Sequence, residues 1–329
     1  MFNGFSLQQK IVAGVLCAER LPLDGGTAQL ATAGGGLRIT MQTMAGLDVL
    51  SPSLGDPQLP QSLRLHGVDF SSAPNRRKPI VVASGQLRGD VLQLHNLAEL
   101  ASLEAWQVWL HQPGPWAAGL DLPLGLPREL VLTLGWPTCW LDLMRHYTRL
   151  SRAQIRAEFK AFCAARPAGR KFAHRVCDGP AGASPSMKWV NPPVAFMLHA
   201  GVPGLLAAGL ELPGLHAGDA QRVALEAYPG LLAREVLGRR SYKSDDPKQQ
   251  TPERAAARAQ LLEALQTGQH RLGLRLSASA EHAQSLLTDA KADRLDAVLC
   301  LMQVAWASRQ DRWGWPQRVD ALEGWILSA

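Results

Sequence analysis

Between residues 63 and 122 the hydrophobic pattern changes period several times. Residues 63–70 alternate apolar and polar positions and stop at Ser-Ser-Ala-Pro-Asn, a turn cluster, which predicts a half-buried strand. Residues 80–87 and 91–97 predict two more strands, joined as a hairpin through Arg88-Gly-Asp90. At 98–111, Leu100, Leu103, Trp106 and Leu110 recur at helical spacing. The apolar run 116–122 predicts a buried strand whose end delivers Asp121 into the loop Leu-Pro-Leu-Gly-Leu-Pro127. The resulting order β–β–β–α–β describes a hairpin meander followed by a helix that returns to the same sheet.

Beyond it, residues 128–175 read as mostly helical. Arg145, Arg149, Arg152, Arg156 and Lys160 are spaced 4, 3, 4 and 4 apart and are expected as one stripe down one helix face. A helix is predicted at 194–210 inside a Gly/Pro/Ala-rich stretch, then a strand at 222–229 that turns at Pro229-Gly230. Helices follow at 231–237, 252–266 and 289–309, the last with Leu295, Val298, Leu299, Met302, Ala305 and Trp306 on its apolar face. Residues 1–60 show no persistent period and read as an irregular extension or linker. One α/β domain is therefore expected over 61–329, with a mainly helical, basic insertion at about 128–220.

Composition narrows the partners. The chain of 329 residues is 47% hydrophobic and 19% charged, which excludes global disorder. No apolar run reaches the ~18 residues of a membrane span, so no membrane partner is expected. The run at 11–16 is too short for a secretory signal, and the five scattered cysteines contain no CxxC pair; both point to the cytoplasm. The net charge of +6 is local: residues 143–175 carry nine Lys/Arg against the single acid Glu158. Such a patch suits a polyanion, with Arg149, Arg152 and Arg156 expected on the phosphates of nucleic acid. Nothing in the pattern specifies DNA over RNA, or an oligomeric state. Walker, GxGxxG, HExxH and GxSxG motifs are all absent.

Candidate chemistry lies in carboxylates at the ends of apolar strands. Asp69 closes the first strand, Asp121 closes the fourth, Glu226 lies in the next, and Asp293 and Asp296 sit three apart on the last helix. Asp69 and Asp121 could each cap a turn, and Asp293 could favour a helix N-terminus. As a converging set, however, they would repel one another unless cations neutralise them, and Mg2+ or Mn2+ does this with oxygen ligands. Arg175 and Lys188 lie in a Gly/Pro-rich segment that suits a loop over the site, Lys243 follows Tyr242 after the Glu226 strand, and each could bind a scissile or neighbouring phosphate.

The blocks His66-Gly-Val-Asp-Phe-Ser-Ser72, Gly119-Leu-Asp-Leu-Pro-Leu-Gly-Leu-Pro127, Glu226-Ala-Tyr-Pro-Gly230 and Asp293-Arg-Leu-Asp-Ala-Val-Leu-Cys300 occur in that order. With Arg175-Val-Cys-Asp178, Ser184-Pro-Ser-Met-Lys188, Asn191-Pro-Pro193 and Ser241-Tyr-Lys243, they resemble the domain of unknown function 429 family, predicted nucleases, from about residue 63 to 310. The resemblance implies a ribonuclease H-like fold: a mixed five-stranded sheet, its first three strands antiparallel, flanked by helices. It also implies Asp69 at the sheet centre beside Asp121, with Asp296 or Asp293 pointing at both. Ribonuclease H proper draws a further glutamate from the helix after the third strand. Glu104 or Glu99 could serve, or Glu226 could replace it. The expectation is a metal-dependent nuclease or phosphodiesterase with Asp69, Asp121, Glu226 and Asp296 as catalytic groups and Asp69, Asp121, Asp293 and Asp296 around Mg2+ or Mn2+. The alternative is a non-catalytic RNase H-like domain that binds a ligand or partner through the same cleft.

Overall fold

The computed structural model describes residues 63–329, which lie within one compact unit, Gln61–Ala329. The extension expected at 1–60 lies outside the described residues. The chain begins with β1 (Arg64–Asp69), β2 (Ile80–Arg88), β3 (Val91–Leu100), α1 (Leu103–Leu110) and β4 (Trp116–Asp121). Next come α2 (Arg128–Thr133), α3 (Trp140–Arg149), α4 (Arg152–Ala164), α5 (Asp178–Ala181), α6 (Val194–Ala207), β5 (Leu210–Glu211) and β6 (Asp219–Glu226). The last part holds α7 (Pro229–Leu237), α8 (Pro252–Thr267), β7 (Arg275–Ser277), α9 (Ala280–Thr288) and α10 (Asp293–Ala307). No helix among the described residues is long and apolar enough to cross a membrane.

The β–β–β–α–β opening is present, and it sits in a mixed sheet of seven strands, order β5-β6-β4-β1-β2-β3-β7, rather than five. The two unforeseen strands, β5 and β7, are two and three residues long, too short to print a period on the sequence. The meander β1–β2–β3 is antiparallel, whereas β4 runs parallel to β1 and β6 parallel to β4. Alternation along the strands feeds two cores. Val68, Val82 and Ala118 pack with Tyr147, Phe159 and Leu198 of α3, α4 and α6. Leu65, Ala83 and Ala117 pack with Leu232, Leu261 and Val298 of α7, α8 and α10.

Two predicted elements change. Residues 98–100 extend β3, and α1 starts only after Ser102, whose hydroxyl accepts from the Ala105 amide at 3.1 Å. The single basic helix is two helices. Leu150 is extended, and Ser151 with Gln154 forms a capping box that starts α4 afresh. Arg149 and Arg152 therefore stand on different helices, and the continuous stripe does not exist.

On the second face α10 lies directly on the sheet. A Cβ at Gly67 would stand 2.1 Å from both Ala297 O and Leu301 N, and one at Gly119 would stand 2.8 Å from Cys300 O. Both partners are backbone, so neither can rotate away. Gly67→Ala should thus lift α10 and cost about 3 kcal/mol. Gly179→Ala, with no atom within 4 Å of its new Cβ, should be near neutral. Thermal unfolding of the two variants checks this; equal melting temperatures would contradict the close contact.

Candidate functional site

The two glycines each precede an aspartate by two residues, as Gly67-Val-Asp69 and Gly119-Leu-Asp121. Because strand side chains alternate, glycine and aspartate share a face, the one covered by α10. Asp69 and Asp121 stand directly opposite each other in the parallel β1–β4 register, at adjacent strand ends. The first turn of α10 brings Asp293 and Asp296 to the same end, where the positive pole of the helix favours carboxylates. A cleft of about 670 Å³ opens there, with Asp69, Asp121, Asp293, Tyr242 and Lys243 among its lining residues.

Asp296 is fully buried beneath that surface. Its Oδ1 accepts from the Tyr242 hydroxyl at 2.5 Å, and its Oδ2 accepts from Lys243 Nζ. The Lys243 side chain is 44% exposed, so Asp296 presents the ammonium towards the cleft. Burial opposes that charge, but Asp296 and then Tyr242 and Asp69 outweigh it and hold the Lys243 pKa well above its ordinary value. Burial, then the charge of Asp296, raises Asp69 well above the usual carboxylate range. Burial lifts Asp121 to about 7 against the pull of Lys243, and lifts Asp293 to about 6 against the pull of Lys78. Burial and neighbouring charges, rather than hydrogen bonds, govern all three acids.

That donor set suits a hard cation, since it offers carboxylate oxygens, and the Lys243 and Lys78 ammonium groups near it are already paired with Asp296 and Asp245. Magnesium keeps several waters and takes one or two carboxylates, a demand the Asp69–Asp121 pair meets. Among the described residues, no three Asp, Glu, His or Cys side chains are gathered into a ready cage.

Glu226 borders the cleft but has its oxygens engaged. Arg175 Nη2 donates to Oε1 at 2.6 Å and Nη1 to Oε2 at 2.7 Å, while the Leu124 amide donates to Oε2 at 2.9 Å. Arg175 also donates from Nε to Asp178 Oδ1 at 3.1 Å and from Nη1 to Glu323 O at 3.1 Å. All four side chains are buried. Burial opposes the guanidinium charge, yet Glu226 holds the Arg175 pKa well above its usual value. The network joins the loop after β4, the segment before α5, the end of β6 and the C-terminal segment into one wall.

The expected phosphate contacts divide. Arg152 donates to Ser72 O at 2.8 Å, and its guanidinium lies 5.1 Å from the Phe196 ring centre, which places it at the rim formed by the β1–β2 loop. Arg156 shares Phe196 at 6.0 Å. Arg175 and Lys243 line the cleft, whereas Arg152, Arg156, Arg149, exposed on α3, and Lys188, half-buried, do not. Lys78, Arg234 and Arg240 do, and the sequence reading missed all three. So did it miss Tyr242 as the partner of Asp296; the Ser-Tyr-Lys block was the available signal. The N-terminal residues of α6 and α7, neither capped by a side chain, also line the walls. Acids at the floor and positive groups around them suit a ligand that is itself anionic.

No match to the chain was found among curated proteins or among solved structures. A family model does match, described as protein of unknown function (DUF429), over residues 67–321. That span runs from Gly67 through both strand-end aspartates and the Arg175–Glu226 wall to the far side of α10, and on it the chain belongs to the DUF429 family.

Proposed function

We propose that this protein is a divalent-metal-dependent phosphodiesterase acting on nucleic acid, built on a ribonuclease H-like core. The observation that carries the reading is the Asp69–Asp121 pair on adjacent parallel strand ends, lining one cleft with Asp293 and with a Lys243 ammonium already paired to Asp296. Setting aside the edge strands β5 and β7 leaves β3-β2-β1-β4-β6, with the acid-bearing strands central and the meander antiparallel. That order is what a ribonuclease H-like core requires, and it supports the reading without deciding the reaction.

In this reading Asp69 and Asp121 hold Mg2+ or Mn2+, which when bound supplies a nucleophilic water and neutralises charge on the phosphate. Lys243, fixed by Asp296, binds a non-bridging phosphate oxygen as a point charge. Asp293, with a pKa of about 6, is ionised at mildly alkaline pH and is placed to accept the proton of an attacking water. Glu226 acts through the wall it builds with Arg175, as a positioning residue. Arg152, Arg234, Arg240 and Lys78 receive flanking phosphates and replace the single helix face expected from the sequence.

The test is cleavage of labelled DNA and RNA, single- and double-stranded, with Mn2+, Mg2+ or a chelator. Metal-dependent cleavage is expected, and Asp69→Asn should abolish it while nucleic-acid binding persists. Binding without cleavage by the wild type would favour the non-catalytic alternative. Absence of both would end the nucleic-acid reading.

A further inference from the structure

The floor of the cleft is charged, but one of its walls is not. Pro192 and Pro193 are exposed, and Val194 and Met197 of α6 are half-buried; all four line the cleft. Lys243 and the N-terminal end of α7 at Tyr228 and Pro229 line the same cleft. Water gains nothing from such an apolar wall, so a ligand that is anionic at one end and flat and apolar at the other is the best complement.

We infer that the cleft takes its nucleic acid unpaired, one nucleotide at a time, with the base against Pro192, Pro193, Val194 and Met197 and the phosphate over the acids. This rests on the phosphodiesterase reading above. A volume of about 670 Å³ is within the range of ~300–1,000 Å³ that encloses a single small ligand. A duplex carries its phosphates on the rim of a cylinder far wider than this. Its phosphates would have to leave that rim to reach the strand-end acids, which line the cleft together with Phe70, Ser71 and Ser72 of the β1–β2 loop. A phosphate that reaches Asp69 and Asp121 therefore brings its own sugar and base down with it. Every base offers a π-face, so a wall that packs on that face takes all bases without reading their edges. A thioether suits the task because sulfur is polarizable and makes favourable contacts with aromatic rings. The wall thus selects strandedness rather than sequence.

The experiment is competition for fluorescein-labelled pentathymidylate on the full chain in Ca2+ at low salt. Competitors are unlabelled pentathymidylate, an abasic strand with the same number of phosphates, and a duplex of about 12 base pairs. Pentathymidylate is expected to compete at least about tenfold better than the abasic strand, and the duplex no better than the abasic strand. The double variant Val194→Ala/Met197→Ala should lose that advantage and keep the affinity for the abasic strand, which a misfolded protein would not. If the abasic strand or the duplex competes as well as pentathymidylate, or the variant keeps the full advantage, the base-binding wall is overturned, while Mn2+-dependent cleavage would leave the phosphodiesterase reading standing. If no strand binds and none is cleaved with Mn2+, that reading fails and takes this inference with it.

Discussion

Asp121→Asn is expected to have two opposite effects: cleavage lost by about a hundredfold or more, and a higher melting temperature for the metal-free protein at about pH 8. The first follows from removing one of the paired carboxylates. The second follows from linkage. Burial raises the folded pKa of Asp121 from 3.8 to about 7, so the folded state binds a proton that the unfolded chain releases. A group raised in this way supports the fold fully below its unfolded pKa, and that support is lost as pH climbs through the folded value. The metal-free wild type should therefore weaken between about pH 4 and pH 7, by a few kcal/mol on the order expected for such a shift. Asp69, raised by burial and then by the charge of Asp296, adds a loss in the same direction. Asparagine has no proton to lose, and the variant should cross that range with a flatter profile. Thermal unfolding across pH with a chelator measures this. A variant that melts below wild type at about pH 8 would mean that the Asp121 carboxylate makes a stabilising contact instead.

Arg175→Met should be the most destabilising single change in the wall, at about 3–5 kcal/mol, because it leaves Glu226 and Asp178 buried without their cation. Adding Glu226→Gln should recover much of that loss: the amide oxygen can still accept from Leu124 while the buried charge is gone. Urea unfolding of the single and double variants gives the coupling directly. A cost below about 1 kcal/mol for Arg175→Met would show that the network does not hold the wall. Glu226→Gln alone also separates two roles. If it folds as wild type yet loses cleavage, Glu226 takes part in the chemistry; if stability and cleavage fall together, it positions the wall.

The strand-end acids were legible because an alternating run stops at Asp69 and an apolar run stops at Asp121, which leaves each acid at the end of a strand. What makes them neighbours is the parallel pairing of β1 with β4, which no local pattern encodes. The arginine stripe misled because its spacing ran across Leu150 by coincidence, while the Ser151-x-x-Gln154 signature of a new helix was present but unread. Arg175 and Glu226 each stood out as residues without showing that they would meet, since periodicity says nothing about a contact between distant segments. The same holds for Lys243 and Asp296. The edge strands β5 and β7 are defined by their partners rather than by their own residues.

The bare contact of α10 with Gly67 and Gly119 has a mechanical consequence. A helix usually rests on a sheet through a layer of side chains, which can hop between rotamers and act as a compliant spacer. At Gly67 and Gly119 backbone meets backbone, and the spacer is missing at those two points. The two strand ends and the first turn of α10 should then move as one stiff body, unable to widen or narrow the gap between their acids independently. Tyr242 and Lys243, bonded to Asp296, should travel with that body, so whatever breathing the cleft needs to admit and release a ligand must be taken up elsewhere on its rim. Amide hydrogen exchange would register this as late exchange along β1, β4 and α10 and early exchange in the exposed residues 245–250.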